Sequence, residues 1–108
     1  MFTRQAVFDI VNRFLRALKA DGFNPTRAVL FGSYVRGKAH RYSDIDLAVW
    51  DEKFSGCLPE DIELLHNAKR QVHPALEVHT FHASETEETN PFIKEILREG
   101  IMIEIPND

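Results

Sequence analysis

The sequence has little of what marks several common classes of protein. Among 108 residues there is one cysteine, Cys57, so no disulfide can form within the chain. A reducing compartment fits that usage, and a cytoplasmic location is the expectation. No apolar run approaches the roughly 20 residues of a membrane span. The first 20 residues are interrupted by Arg4, Asp9, Arg13, Arg16 and Lys19, which is not the pattern of a secretory leader. Basic charge is not in excess either, because 13 Lys and Arg stand against 17 Asp and Glu, a formal net charge of −4. Broad binding to nucleic acid relies on many Lys and Arg contacts to phosphate, so no direct nucleic-acid binding is expected. A single nucleotide delivered with a metal ion remains compatible with that charge. There are no repeats, no low-complexity tracts and no linker, so one domain spanning 1–108 is expected.

What is present is an alternation of two periodicities. Val7, Ile10, Val11, Phe14, Leu15 and Leu18 recur at helical spacing, which predicts a helix over Thr3 to Ala20 with Thr3 as its N-cap and Asp21-Gly22 as its end. "RAVLF" is a short apolar run closed by Gly32 and reads as a strand. Ser33 to Lys38 reads as a short helix weakened by Gly37. "DIDLAVW" alternates, with Ile45, Leu47 and Val49 facing a core and Asp44, Asp46 and Ala48 facing away. Leu58, Ile62, Leu65, Ala68 and Val72 form a helical stripe, with Pro59 suited to the first turn. "ALEVHTF" is a third strand, and Glu85 to Glu88 reads as a flexible acidic loop. Asn90-Pro91 starts a helix carrying Phe92, Ile93, Ile96 and Leu97, which stops at Gly100. "IMIEI" is a possible last strand whose edge is compatible with a homo-oligomer. The expected fold class is α/β (α+β), a small mixed β-sheet with helices packed on it.

Chemistry concentrates in "FGSYVRGKAHRYSDIDL". Gly32 at a strand-to-helix turn permits φ > 0 and close approach of a ligand, and the following N–H groups suit phosphate oxygens. Ser33 adds a hydroxyl, although a plain N-cap explains the pair equally well. The turn is not a P-loop, because no Gly-Lys-Ser/Thr follows. Asp44 and Asp46, at about 3.3 Å per residue, place their Cα atoms roughly 6.6 Å apart on one strand face. Two such charges about 4 Å apart repel by roughly 4 kcal/mol at an effective dielectric near 20. Aspartate is also a poor strand former. A cation between them removes the conflict, and hard oxygen ligands suit Mg²⁺. A pair of such ions can clamp an in-line phosphoryl displacement. The alternative is a solvated strand end.

Read together, "GSYVRGKAHRYSDIDLAV" resembles the signature of the minimal nucleotidyltransferases, within the DNA polymerase β-like superfamily. The matching residues are Gly32, Ser33, Arg36, Gly37, Ser43, Asp44, Asp46 and Leu47. "LEVHTF" and "NPFIKEILREGIMI" resemble the closing segments of one branch of these proteins, so the likeness covers nearly the whole chain. The resemblance implies a nucleotidyltransferase-like fold. It implies that Gly32 and Ser33 hold a triphosphate, that Asp44 and Asp46 bind Mg²⁺, and that a third carboxylate on a neighbouring strand completes the site. Glu77 is the candidate, since it is the one acid between Pro74 and Phe81. The superfamily more commonly has Asp there, and Glu reaches about 1.5 Å further, one C–C bond. The alternative for Glu77 is a rim ion pair with Lys69 or Arg70.

Arg36 reads either as a phosphate contact or as a brace against an acid. His79 shares the strand face of Glu77, and His79 and His82 lack further ligands for a zinc site. Trp50 and Phe81 read as core, Lys53 and Lys69 as solvated. The function implied is Mg-dependent transfer of a nucleotide, AMP from ATP, to a hydroxyl acceptor. The partner implied is a helical HEPN-domain protein, the toxin of a pair in which this chain is the antitoxin. The competing readings are a module that neutralises its partner by covering the partner's active site, and a plain α/β domain.

Overall fold

The computed structural model describes residues 1–107, the side chain of Leu58 apart. The elements run α1 (Arg4–Ala20), β1 (Arg27–Phe31), α2 (Ser33–Arg36), β2 (Ile45–Asp51), α3 (Leu58–Lys69), β3 (Leu76–His82), α4 (Pro91–Glu99) and β4 (Ile101–Met102). The local signals act where the sequence places them. Thr3 Oγ1 accepts from the Ala6 N–H at 3.1 Å and starts α1. Asn90 Oδ1 accepts from the Phe92 N–H at 3.0 Å, with Pro91 in the first turn, and starts α4.

The strands form one mixed sheet in the order β3-β2-β1-β4. β1 is antiparallel to both β2 and β4, whereas β2 and β3 are parallel. A parallel pair needs a crossover, which α3 supplies between β2 and β3. One face of the sheet presents Ala28, Leu30, Ile45, Leu47, Val49, Leu76 and Val78 to Val11, Phe14, Leu15 and Leu18 of α1 and Leu65 and Ala68 of α3. The other face presents Val29, Ala48, Trp50 and Phe81 to Ile93 and Ile96 of α4. β2 is therefore covered on both sides from Ala48 onward, and its expected half-exposed alternation survives only at Asp46. Trp50 and Phe81 lie in this second core, stacked with centroids 4.9 Å apart.

Two expectations need correction. The stripe of α3 does not include Ile62, which is 55% exposed; Asp61 takes the inward position and is 1% exposed. The inward row is Asp61, Leu65 and Ala68, with Val72 half-buried beyond the helix; Leu58, the other member of the expected stripe, has its side chain outside the described residues. The cause is the loop before the helix. Asp61 accepts from the Ser55 N–H (2.9 Å), the Ser55 hydroxyl (3.2 Å), the Gly56 N–H (3.1 Å) and the Thr80 hydroxyl (2.6 Å). Nor is the segment after β3 a loose acidic loop at its start. Glu85 is half-buried, its carboxylate accepts from the His82 N–H at 2.8 Å, and its carbonyl accepts from Trp50 Nε1 at 3.0 Å.

Asp61 thus ties the loop, α3 and β3 together through four donors. Each buried donor left without an acceptor costs about 1–3 kcal/mol, so Asp61→Ala should lower the urea unfolding free energy by about 3 kcal/mol or more. A loss below about 1 kcal/mol would mean that water replaces the carboxylate, and that the clip is not structural.

Candidate active site

The sheet register sets the site. Phe31, the last residue of β1, pairs with Asp46 near the start of β2, and Asp46 pairs with Glu77 near the start of β3. The three form a row across one end of the sheet, on the face that α4 covers further along. Partners in register point to the same side, so Asp46 and Glu77 project together. His79, two residues after Glu77, projects with them. Its Nε2 lies 3.2 Å from Asp46 Oδ1. One ligand atom each from Asp46, Glu77 and His79 fall within 4.8 Å of one another.

Gly32 follows the row directly. Its φ is +84°, and a Cβ placed there would lie 2.3 Å from Asp46 Oδ2. No other residue fits without moving that carboxylate. Its carbonyl caps α2 by accepting from the Val35 and Arg36 N–H groups, both at 3.1 Å. Ser33 opens α2, and only the N–H groups ahead of Val35 are left outside this carbonyl bond. Asp44 precedes β2 and is exposed. Ser43 of the same motif is buried and braces the loop, its Oγ accepting from the His40 N–H at 2.9 Å.

Phe31 and Asp46 of the row line a cleft of about 330 Å³ with Gly32, Arg36, Phe92 and the α4 acids Glu95 and Glu99, whereas Glu77 borders a separate groove of about 280 Å³ shared with Leu65, His66 and Lys69 of α3. Arg36 Nη1 lies 3.6 Å from Glu99 Oε2, so Arg36 stands at the cleft and is braced by an acid. A more apolar groove of about 230 Å³ lies on the opposite face, beside Phe2, Val7 and Leu30, and carries neither carboxylate nor histidine in its lining.

Glu77 forms no ion pair with Lys69 or Arg70 among the described residues; its interactions are with the other acids and His79. Its carboxyl is held above the ordinary 4.5, first by burial, then by a hydrogen bond with Asp44, with the charges of Asp46 and Asp44 adding to the effect; His79 pulls the other way. The burial is partial, since Glu77 is exposed at its tip. His79 was legible as a face-mate of Glu77, but its approach to Asp46 depends on the pairing of β2 with β3. His79 was expected to lack further ligands for a metal site with His82, whereas the structure places two carboxylates beside it. Phe92, placed by its spacing in the stripe of α4, is half-exposed at the cleft instead, with its ring 5.9 Å from those of both Phe31 and His79.

The family described as "Polymerase beta, Nucleotidyltransferase" matches residues 15–107. The chain belongs to the polymerase beta nucleotidyltransferase family. A search of curated proteins finds none that matches it. The mixed sheet with its four helices is consistent with the nucleotidyltransferase fold. Nucleotidyltransferases use a divalent metal ion and a nucleoside triphosphate. The donor set suits such an ion, because two carboxylates and an imidazole converge within 4.8 Å. No helix among the described residues is long and apolar enough to cross a membrane.

Two outcomes follow from this geometry. Gly32→Ala should cost about 1–3 kcal/mol in urea unfolding, as for other residues held in sparsely populated backbone regions, and calorimetry should show weakened Mg²⁺ binding because Asp46 must shift. Wild-type stability with unaltered Mg²⁺ affinity would show that the turn absorbs a Cβ. The second outcome concerns pH. Folded Glu77 keeps its proton to a higher pH than the unfolded chain does, so its contribution to stability is present below 4.5 and is lost as pH rises through its folded pKa. Without divalent ions, the stability of Glu77→Gln relative to wild type should therefore increase from below 4.5 toward neutrality. A flat or falling difference in urea midpoints would contradict the shift.

Proposed function

We propose that this nucleotidyltransferase moves AMP from ATP to a hydroxyl group on a separate helical HEPN-domain protein, and acts as the antitoxin of that pair. The observation that carries the transfer is the pairing of Asp46 with Glu77, Asp44 beside Glu77, and Gly32 against Asp46 at the edge of a cleft. Support for the partner comes from the resemblance of "GSYVRGKAHRYSDIDLAV" and the closing segments to the minimal nucleotidyltransferases. In the reaction the acceptor oxygen forms a bond to the α-phosphorus. The bond from that phosphorus to the bridging oxygen breaks, and pyrophosphate leaves.

The glycine turn would let the triphosphate approach the backbone, with the Ser33 hydroxyl and the N–H groups of Ser33 and Tyr34 beside it. Arg36, braced by Glu99, adds positive charge at the same edge. Glu77, its basicity raised by its surroundings, would take the proton of the acceptor hydroxyl. Mg²⁺ held by Asp44, Asp46 and Glu77 would offset the repulsion of these carboxylates and neutralise phosphate charge. Positioning and charge neutralisation are the main contributions of a protein to this kind of transfer.

The test mixes a HEPN-domain partner, Mg-ATP and this protein, and looks by mass spectrometry for an AMP adduct on the partner. The adduct should form with wild type and fall at least about 10³-fold in rate with Asp44→Ala and Asp46→Ala combined. No adduct across HEPN partners and nucleotides would sink the reading. If the double variant still neutralises the partner, covering its active site is sufficient and transfer is not the means.

A further inference from the structure

The carboxylate row carries a nitrogen donor that an all-oxygen Mg²⁺ site does not use. We propose that His79 is a direct ligand of one divalent cation at this site, and that the mixed carboxylate–imidazole set binds Mn²⁺ in preference to Mg²⁺. This deepens the nucleotidyl-transfer reading and rests on it.

The separation of donors is the first argument. Two ligands at right angles around an ion about 2.1 Å from each lie about 3.0 Å apart. His79 Nε2 and Asp46 Oδ1 are 3.2 Å apart, and the Glu77 oxygen completes a set within 4.8 Å. One cation can meet all three with small side-chain movements.

The holding of the ring is the second. The imidazole lies edge-on to Phe31, centroids 5.0 Å apart, and to Phe92 at 5.9 Å. Its strand partner is Ala48, whose small side chain leaves the space towards Asp46 open. The side chains of His79 and Asp46 are both about three-quarters buried, at 24% and 23% exposure, so the pair is partly withdrawn from water before any ion arrives. A ring oriented in this way gives up little freedom on binding.

The two oxygens of Asp46 supply the third argument, because they face different sides. Oδ2 is the atom against Gly32, while Oδ1 faces His79. An ion accompanying a triphosphate docked at the glycine turn meets Oδ2. The ion that His79 reaches sits on the other side, by Oδ1 and Glu77.

Ligand chemistry then selects the metal. Mg²⁺ is bound through oxygen and keeps several waters. Imidazole favours first-row transition ions over Mg²⁺, and among them Mn²⁺ stays nearest to Mg²⁺ in its preference for carboxylate and water. The mixed set therefore discriminates on the Oδ1 side and leaves the phosphate side open to Mg²⁺.

The experiment uses the full chain with Mn²⁺ and inorganic tripolyphosphate, which contains no nitrogen. Electron spin-echo modulation from directly bound nitrogen should appear in wild type and vanish in His79→Phe, which keeps ring contacts with Phe31 and Phe92. Calorimetry should show Mn²⁺ affinity falling by about tenfold or more in the variant, since losing even an outer-shell partner costs about 10–100-fold, while Mg²⁺ affinity holds. His79→Leu, which offers no donor atom, gives the same readings should the Phe variant fold poorly. Bound Mn²⁺ without nitrogen modulation in wild type, or unchanged Mn²⁺ affinity in both variants, overturns the proposal. AMP transfer with Mg²⁺ then persists and the function reading stands. Failure of wild type to bind either ion, together with absence of transfer, overturns both.

Discussion

The parallel register of β2 against β3 is the constraint on which the site depends. Asp46 and Glu77 are 31 positions apart in sequence and become immediate neighbours only because the two strands pair in this register. A slip of one residue would turn Glu77 into the face occupied by Leu76 and Val78, and bury a carboxylate among α1 and α3. The apolar pattern of β3 therefore fixes the chemistry. Leu76, Val78 and Thr80 point to the α3 side, which leaves Glu77, His79 and Phe81 on the side of the cleft. Thr80 is polar on a buried face, and its hydroxyl is satisfied by Asp61, the same carboxylate that holds the loop before α3.

The sheet divides its two faces between stability and function. The α1–α3 face carries the larger core and most of the fully buried aliphatic side chains. The α4 face is split along its length. Its far half is sealed by Ile93 and Ile96 against Trp50 and Phe81, and its near half is left to the acids and the cleft. The carboxylates sit where close packing gives way to solvent. Asp46 and His79 are partly withdrawn from water, while Glu77 and Asp44 reach into it. That gradient strengthens the electrostatics of the inner pair without the full cost of burying charge.

Much of this was legible in the sequence, and the limit has a physical basis. Signals that act through adjacent residues were readable: Thr3 and Asn90 cap their helices, Gly22 adopts positive φ after α1, and the first three strand runs sit where the apolar patterns put them, while the short helix stops at Gly37 before Lys38 and the last strand is only Ile101–Met102. Gly32 was readable as a turn glycine, but its contact with Asp46 Oδ2 was not, since that depends on β1 lying beside β2. The misread positions all depend on long-range partners. Ile62 has the right spacing for the core and yields to Asp61, because loop donors required an acceptor more than the core required an isoleucine. Glu85 looked like part of a solvated acidic run and instead closes the turn after β3. His79 carries no local mark of its closeness to Asp46.

A proton and a cation are alternative ways of relieving the same repulsion at the carboxylate row. Asp44, Asp46 and Glu77 carry up to three negative charges in a small space, and about 4 kcal/mol separates a pair at 4 Å from a pair at infinity when the effective dielectric is near 20. The fold answers in part by holding a proton on Glu77 to higher pH, through partial burial and the hydrogen bond with Asp44, and in part by placing His79 beside Asp46. A divalent ion held there would supply more positive charge and would have to displace the proton to use the Glu77 oxygen, so its binding would strengthen as pH rises. Glu at position 77, with its longer side chain, can keep Asp44 as its partner and still turn toward the ion. A shorter acid at the same register would have less reach for both.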